Sequence, residues 1–489
     1  MFAATGHRGE HLGVLDTTAD PTQGWRRSPC AKRRAVRRRE VAACGAARSR
    51  RRTRSAFAVR LAFRARPRHS GGMPVTGSGL IVPLARYARR FHEVAGAGHQ
   101  VASPLGAWLL LALAGSACTG DDLRQLEQIL GADASAAAGF AAELLACPHP
   151  LVHAGAAVWG GNGSASARIV SWQDGLPPQV DTGPVPGQAE LDAWATQHTS
   201  GLIDRFPIDG GGTLTWLLAT ALAARVSWER PFDLAPASAL GSSSPWAATL
   251  TRVLRTPRGP ANGPVPGHDQ FIAATDAAGE VAVHAASARG GLLVVSVAAA
   301  PEVPAPDVIS AAYHVATALA AGRPLARRSL YDLPLGETPA WTVREEPAEV
   351  TAPGGREEQY TAVLPAWSAH STHQLTDPQL GFATVRHALD PVDPWEASQA
   401  AMARYTRVGF EAGAVTALGI ALSAVIRRTG VRRIAELRFG HPFAVVAVGD
   451  AEHRSSHRPV PRNPWHGLAV FSAWIADPED ATAEPGSAS

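Results

Sequence analysis

The apolar residues change period along the chain. The first helix-like stretch is 80–91. Ser103-Pro104-Leu105 then marks a helix start, because a serine N-cap accepts from otherwise unpaired amides and a proline at the first position sacrifices no hydrogen bond. The segment 105–114 is apolar nearly all round, as a buried helix is. A second helix is predicted over 121–130: two aspartates suit the positive end of its dipole, Leu123, Leu126, Ile129 and Leu130 share a face, and Gly131 stops it. Over 190–206, Leu191, Trp194, Ala195 and His198 fall on one helical stripe that ends near Gly201. The run 213–228 is long, mostly apolar and poor in turn residues, which predicts a central strand buried on both faces; Trp228-Glu229-Arg230-Pro231-Phe232 ends it. Further strands are read at 292–297, at 360–369 with Val363 and Trp367 on the core side, at 437–448 and at 468–474. Helices crowd the first half and strands the second, without regular βαβ alternation, so the fold class is α+β.

The connections 160–189, 209–213, 234–267 and 352–357 are rich in Gly, Pro and Ser, but none separates two cores and no internal repeat appears. Charge divides the chain more sharply. The formal total is +4, yet residues 1–72 hold 18 Lys+Arg against 4 Asp+Glu and so carry +14, leaving −10 on residues 73–489. Within the first part, 26–68 is Arg/Ala/Ser/Pro-rich without apolar periodicity. It reads as a basic disordered extension, either an arm for nucleic acid or an anionic surface, or a stretch that is not translated if synthesis starts at Met73. The expected division is therefore 1–72 extension, 73–480 folded domain and 481–489 flexible tail. An acidic body argues against a nucleic-acid-binding function, and no run of 18 apolar residues predicts a membrane span. The four cysteines, Cys30, Cys44, Cys118 and Cys147, lack CxxC spacing; Cys118 and Cys147 are read as buried thiols, with a disulfide between them as the alternative.

Several segments, in this order, resemble the serpin family of serine-protease inhibitors. They are Ser103-Pro104-Leu105 with its apolar helix; Gly120-Asp121-Asp122-Leu123-Arg124-Gln125-Leu126; Trp194 with Thr199, Gly201 and Ile203; and Trp228-Glu229-Arg230-Pro231-Phe232. Val363-Leu364-Pro365-Ala366-Trp367 with Leu380-Gly381, His441-Pro442-Phe443, and the closing run that ends Ala476-Asp477-Pro478 complete the set. There are departures: His99 stands where an Asn is usual, Thr220-Ala221 where the family has Asn-Ala, and Ala223-Ala224-Arg225-Val226 where Tyr-Phe-Lys-Gly is usual. The resemblance implies helices packed around three β-sheets, with an exposed reactive-centre loop.

That loop would begin at Glu411-Ala412-Gly413-Ala414-Val415-Thr416-Ala417, which is similar to the small-residue hinge of inhibitory members; Glu411, Gly413, Ala414, Thr416 and Ala417 are the hinge candidates. Small residues are needed because the cut loop slides into an already packed sheet, where overpacking costs about 1–3 kcal/mol. If Gly413 matches the hinge glycine, the family spacing places the reactive bond between Arg427 and Arg428, and an exposed Arg suits a trypsin-like protease. Arg432-Arg433 is a second basic pair if the register slips. Ala412, Val415, Leu418 and Ile420 depart from the inhibitory pattern, and a non-inhibitory binding or substrate-like role on the same fold is the alternative.

The expected partner is thus a serine protease, with no nucleic acid, membrane, metal or cofactor required, and the protein is expected to act as a monomer. The resemblance implies an extracellular location, whereas the lack of a compact signal peptide points to the cytoplasm. Other candidates are weaker. His370, His373 and Asp377 lack a further metal ligand at a diagnostic spacing, and Gly210-Gly211-Gly212 lacks the Lys-Ser/Thr of a phosphate loop. Glu345-Glu346 and Glu357-Glu358 read as a solvated strand edge. No nucleophile, base and orienting group can be assembled, so no catalytic residue is assigned.

Overall fold

The Ser103-Pro104 start folds as its chemistry dictates. The Ser103 hydroxyl accepts from the Gly106 amide at 3.1 Å, and all eleven residues of the helix Pro104–Ala114 are buried. The computed structural model describes residues 77–160, 167–206, 208, 214–224, 226–259, 265–389, 395–409, 428–450 and 463–482. Among these, helices Gly77–Ala95, Gly120–Leu130, Ala134–Ala146 and Gln188–His198 surround the sheet elements in the first half of the chain. Helix Ala305–Ala320 packs on a sheet further along. Gly131 ends helix Gly120–Leu130 at φ 67°, a left-handed position that favours glycine.

Three sheets carry the rest. A five-stranded sheet runs Trp367–Gln374, Trp395–Tyr405, Trp216–Ala224, Val152–Gly160, Val180–Gly183. One six-stranded sheet runs Gln100–Ala102, Ala469–Ile475, Phe443–Gly449, Leu292–Ala298, Gly279–Ala288, His268–Thr275, antiparallel throughout. The other runs Gly336–Glu337, Trp341–Val350, Arg428–Arg438, Arg356–Leu364, Arg252–Arg255, Asp233–Pro236. This is the α+β, three-sheet architecture.

The predicted central strand is Trp216–Ala224, and all nine residues are buried. Its pleat divides them between two cores. Trp216, Leu218 and Leu222 face the core built on Trp108, while Leu217, Ala219 and Ala221 pack with Leu191, Trp194 and Ala195 of helix Gln188–His198. That helix ends in a knot that accounts for the Thr-x-Gly-x-Ile pattern. The Thr199 hydroxyl donates to the Ala195 carbonyl and accepts from the Ile203 amide, and Gly201 sits at φ 77°. The helix therefore stops at His198, and residues 202–206 are not helical.

Other boundaries also differ from the pattern. The run 360–369 is two strands in different sheets, parted by Pro365-Ala366, although Val363 and Trp367 are buried as expected. The run 437–448 likewise divides at Gly440-His441-Pro442, where His441 Nε2 meets the Ala299 carbonyl at 2.8 Å and Phe443 packs on Phe439. Helix Ala134–Ala146 has no counterpart in the pattern reading, because its buried stripe of Ala134, Ala137, Phe140, Ala141 and Leu144 is mostly alanine and gives little polar contrast. Cys118 is buried but Cys147 is exposed, and both are free thiols. Among the described residues no single helix is long and apolar enough to cross a membrane.

Candidate functional site

Among the described residues, one pair of inner strands in the five-stranded sheet runs parallel, and the chain leaves it towards the predicted loop. Trp395–Tyr405 pairs with Trp216–Ala224 in parallel over eight positions, from Trp395 opposite Trp216 to Met402 opposite Ala223. The chain leaves the C-terminal end of Trp395–Tyr405 towards 410–427, so a segment turning back between the two strands would lie antiparallel to both. Ala219, Ala221, Ala223 and Ala224 on one side, and Ala397, Ala400, Ala401 and Ala403 on the other, are all buried.

Gln399 ties the two strands together where such a segment would enter. Its amide nitrogen donates to the Thr220 hydroxyl at 3.2 Å across the parallel pair and to the Ser103 carbonyl at 2.8 Å beneath; its oxygen accepts from the Ser103 amide at 2.8 Å. All three residues are buried. The Ser103 hydroxyl in turn donates to the Val470 carbonyl at 2.8 Å, tying the helix start to the neighbouring sheet. Thr220, the departure from the family's Asn, is the partner of Gln399 here.

At the upper end, aromatic rings and backbone bonds fix the strand before the loop. Trp228 donates from its indole to the Thr406 carbonyl at 2.8 Å and from its amide to the Val408 carbonyl at 3.3 Å, and the Phe232 amide donates to the Arg407 carbonyl at 2.9 Å. Tyr405 packs between Trp228 and Trp367, with ring centroids 4.6 and 5.8 Å away. Gly409, bridged to Ser227, sits at φ +87°, and a Cβ there would overlap the Val226 carbonyl oxygen. Neither Gln399 nor Gly409 stands out in the sequence, because the partners that give each its role, Ser103 and Thr220 for one and Val226 for the other, are far away along the chain.

Of the predicted site residues, Glu411, Gly413, Ala414, Thr416, Ala417 and Arg427 lie outside the described residues, as do Gly210-Gly211-Gly212. Arg428 is exposed and is the first residue of the strand Arg428–Arg438, paired with Val350. The second basic pair is corrected by the structure. Arg432 and Arg433 lie inside that strand with side chains 12% and 16% exposed, paired to Glu357 at 3.2 Å and Glu345 at 2.8 Å, and so are not presented as a loop would present them. By the same contacts the glutamates do not form a merely solvated edge: Glu345, Glu346 and Glu357 all face arginines of the strand between them. His370 and His373 do not converge. His373 is half-buried, its Nε2 2.8 Å from the Val101 carbonyl, His370 is exposed, and Asp377 caps the turn Pro378–Leu380. Among the described residues no group of three or more His, Cys, Asp or Glu is arranged to hold a metal.

The sheets enclose several histidines that burial keeps neutral. His92, against Ser472 at 2.6 Å, is held down to about 3 by desolvation, with His373 beside it. His268 is held down to about 4, again by desolvation, while its Nε2 meets the Arg230 carbonyl at 2.8 Å. Its Nδ1 lies 3.1 Å from Nε2 of His284, which burial also depresses.

No family model matches the chain, and no curated protein matches it in sequence. Solved structures do. Serpin48 from the insect Tenebrio molitor superposes with a TM-score of 0.52 at 13% identity, covering 81% of this chain and 98% of that one. Tengpin, a thermophilic serpin in its native state, gives 0.53 at 12%, covering 81% and 94%. Human thyroxine-binding globulin complexed with thyroxine gives 0.53 at 12%, covering 83% and 100%. The chain has the serpin fold.

Proposed function

We propose that the chain inhibits serine proteases by trapping them, with Arg427 as the bait residue for a trypsin-like enzyme. The observation that carries this reading is the parallel pair Trp395–Tyr405 and Trp216–Ala224, which holds four buried alanines on each strand and from whose C-terminal end the chain continues into 410–427. The protease serine attacks the Arg427 carbonyl; the bond to the Arg428 nitrogen breaks, and that amine leaves as a new N-terminus. The severed arm, beginning at the hinge Glu411, Gly413, Ala414, Thr416 and Ala417, enters between the two strands and carries the acyl-enzyme ester away before water releases it. New ladder hydrogen bonds on both sides and buried surface drive the movement. The chain supplies bait and spring, and the protease supplies the catalytic groups. The alanine lining bears on Leu418 and Ile420, whose bulk is tolerated where the receiving strands are small.

Gly409 offers a competing register. Its positive φ and close approach to Val226 make it a glycine by necessity, four residues before Gly413. Were it the hinge glycine, the reactive bond would shift by four to Ser423-Ala424, a bait for proteases that take small residues.

Incubation with trypsin, and with elastase in parallel, followed by denaturing electrophoresis and N-terminal sequencing tests both points. A denaturant-resistant complex and a new terminus at Arg428 are expected, together with a higher melting temperature of the cut chain. A clipped chain beside fully active protease would refute inhibition and leave the binding or substrate-like role. A terminus at Ala424 would move the bait to Ser423.

A further inference from the structure

We propose that the chain binds a single structural water molecule between His284, Ser296 and Tyr405, and that this water joins two of the sheets. The site goes beyond the inhibitor reading and holds whether or not the chain traps a protease.

The three side chains meet from different sheets. His284 and Ser296 are cross-strand partners in Gly279–Ala288 and Leu292–Ala298 of the antiparallel six-stranded sheet, and Tyr405 ends a strand of the five-stranded sheet. All three are buried, with 0%, 0% and 1% exposure. Phe232 covers them, its ring centroid 5.4 Å from that of His284 and 5.7 Å from that of Tyr405. Burial raises the Tyr405 phenol well above its usual range, and the neighbouring Ser296 hydroxyl pulls the other way. Yet His284 Nδ1, Ser296 Oγ and Tyr405 Oη have no hydrogen-bond partner among the described residues. Buried polar atoms are nearly always paired, so three together point to a ligand.

The adjoining histidine fixes what that ligand must offer. The Arg230 carbonyl, 2.8 Å from His268 Nε2, can only accept, so Nε2 carries the proton. Burial keeps His268 neutral, which leaves its Nδ1 as an acceptor. His284 Nε2, 3.1 Å away, must then be the donor. His284 is neutral for the same reason, so its Nδ1 is a bare lone pair that needs a proton donor. The two hydroxyls can donate as well as accept. A water satisfies all three at once: it donates to His284 Nδ1 and to Ser296, and accepts from Tyr405. Buried waters typically make about three such bonds.

The opposite face of the same sheet shows the arrangement that needs no water. Ser296 stands opposite Val445 and Ser472 opposite Val446, so the two serines lie on opposite faces. There a histidine, a serine and a tyrosine meet directly: His92 Nε2 lies 2.6 Å and the Tyr313 hydroxyl 2.9 Å from Ser472 Oγ. The same three residue types at His284, Ser296 and Tyr405 stand apart. Cross-strand partners hold their Cβ atoms about 4.5–5.5 Å apart. Two atoms bonded to one water, each about 2.8 Å from it, span up to about 5.6 Å.

A high-resolution crystal structure of the full chain tests the site, together with nitrogen-15 spectra of its histidines and oxygen-17 relaxation dispersion, which counts long-lived internal waters. Density for one water is expected within hydrogen-bond distance of His284 Nδ1 and of at least one hydroxyl. His284 Nδ1 should resonate as the unprotonated nitrogen and Nε2 as the protonated one. Ser296→Val, which puts a methyl group where the hydroxyl was, should lower the count of long-lived waters by one. Tyr405→Phe leaves two partners and should keep the water. The proposal is overturned if either hydroxyl touches His284 Nδ1 directly with no water between. It is equally overturned if that nitrogen carries the proton, or if Ser296→Val folds with an unchanged count. Should Ser296→Val not fold, the density and the spectra of the unaltered protein still decide.

Discussion

Gln399 does at the residue scale what no spacing rule indicates: one amide bridges two strands and a helix start. Gln399→Ala leaves the Ser103 amide and the Thr220 hydroxyl buried without that partner, and each such group costs about 1–3 kcal/mol. A lower urea midpoint is expected, and an unchanged midpoint would refute the bridge. The buried histidines act at the same scale. Folding holds His92 and His268 at about 3 and about 4 against an ordinary 6.5, so the unfolded chain binds more protons below that value. Their contribution is complete above pH 6.5 and drains away as pH falls towards 4. The urea midpoint should therefore be lower at pH 5 than at pH 7, and His268→Asn should flatten the difference. Equal midpoints at both pH values would exclude neutral buried imidazoles as the cause. His99 shows how a departure from the family's residue is absorbed: Nε2 meets the Ser368 carbonyl at 2.9 Å, and Nδ1 accepts from the Ala476 and Asp477 amides.

At the scale of elements, the proposed hinge can be tested against the strands it would enter. An arginine at 414 would carry charge into a sheet lined by buried alanines. Ala414→Arg should thus convert an inhibitor into a substrate, measured as moles of complex per mole of chain cleaved; an unaltered yield would refute the hinge assignment. The strand Arg428–Arg438 teaches a different point about basic pairs. Arg427-Arg428 and Arg432-Arg433 look alike in sequence, yet the second lies among Glu345, Glu346 and Glu357 in mid-sheet. Strands that break at Pro365 or Pro442 were read as continuous because both halves are apolar; only their partners show that they serve different sheets.

For the whole molecule, the split of charge sets the expectation to test: every segment that resembles the family follows Met73. A chain starting at Met73 is expected to melt within a degree or two of the full chain. A large loss on removing 1–72 would show that the basic extension belongs to the domain.

The sequence by itself determined the α+β class, the buried helix after Ser103, the central strand and the order of the family-like segments. Each of these depends on local chemistry: a cap, a period, a glycine stop. The tertiary structure alone decided that Trp395–Tyr405 lies parallel to Trp216–Ala224, that Gln399 spans them, and that the strand Arg428–Arg438 is held from both sides. Those features join residues far apart in the chain, and no local pattern encodes which strands become neighbours.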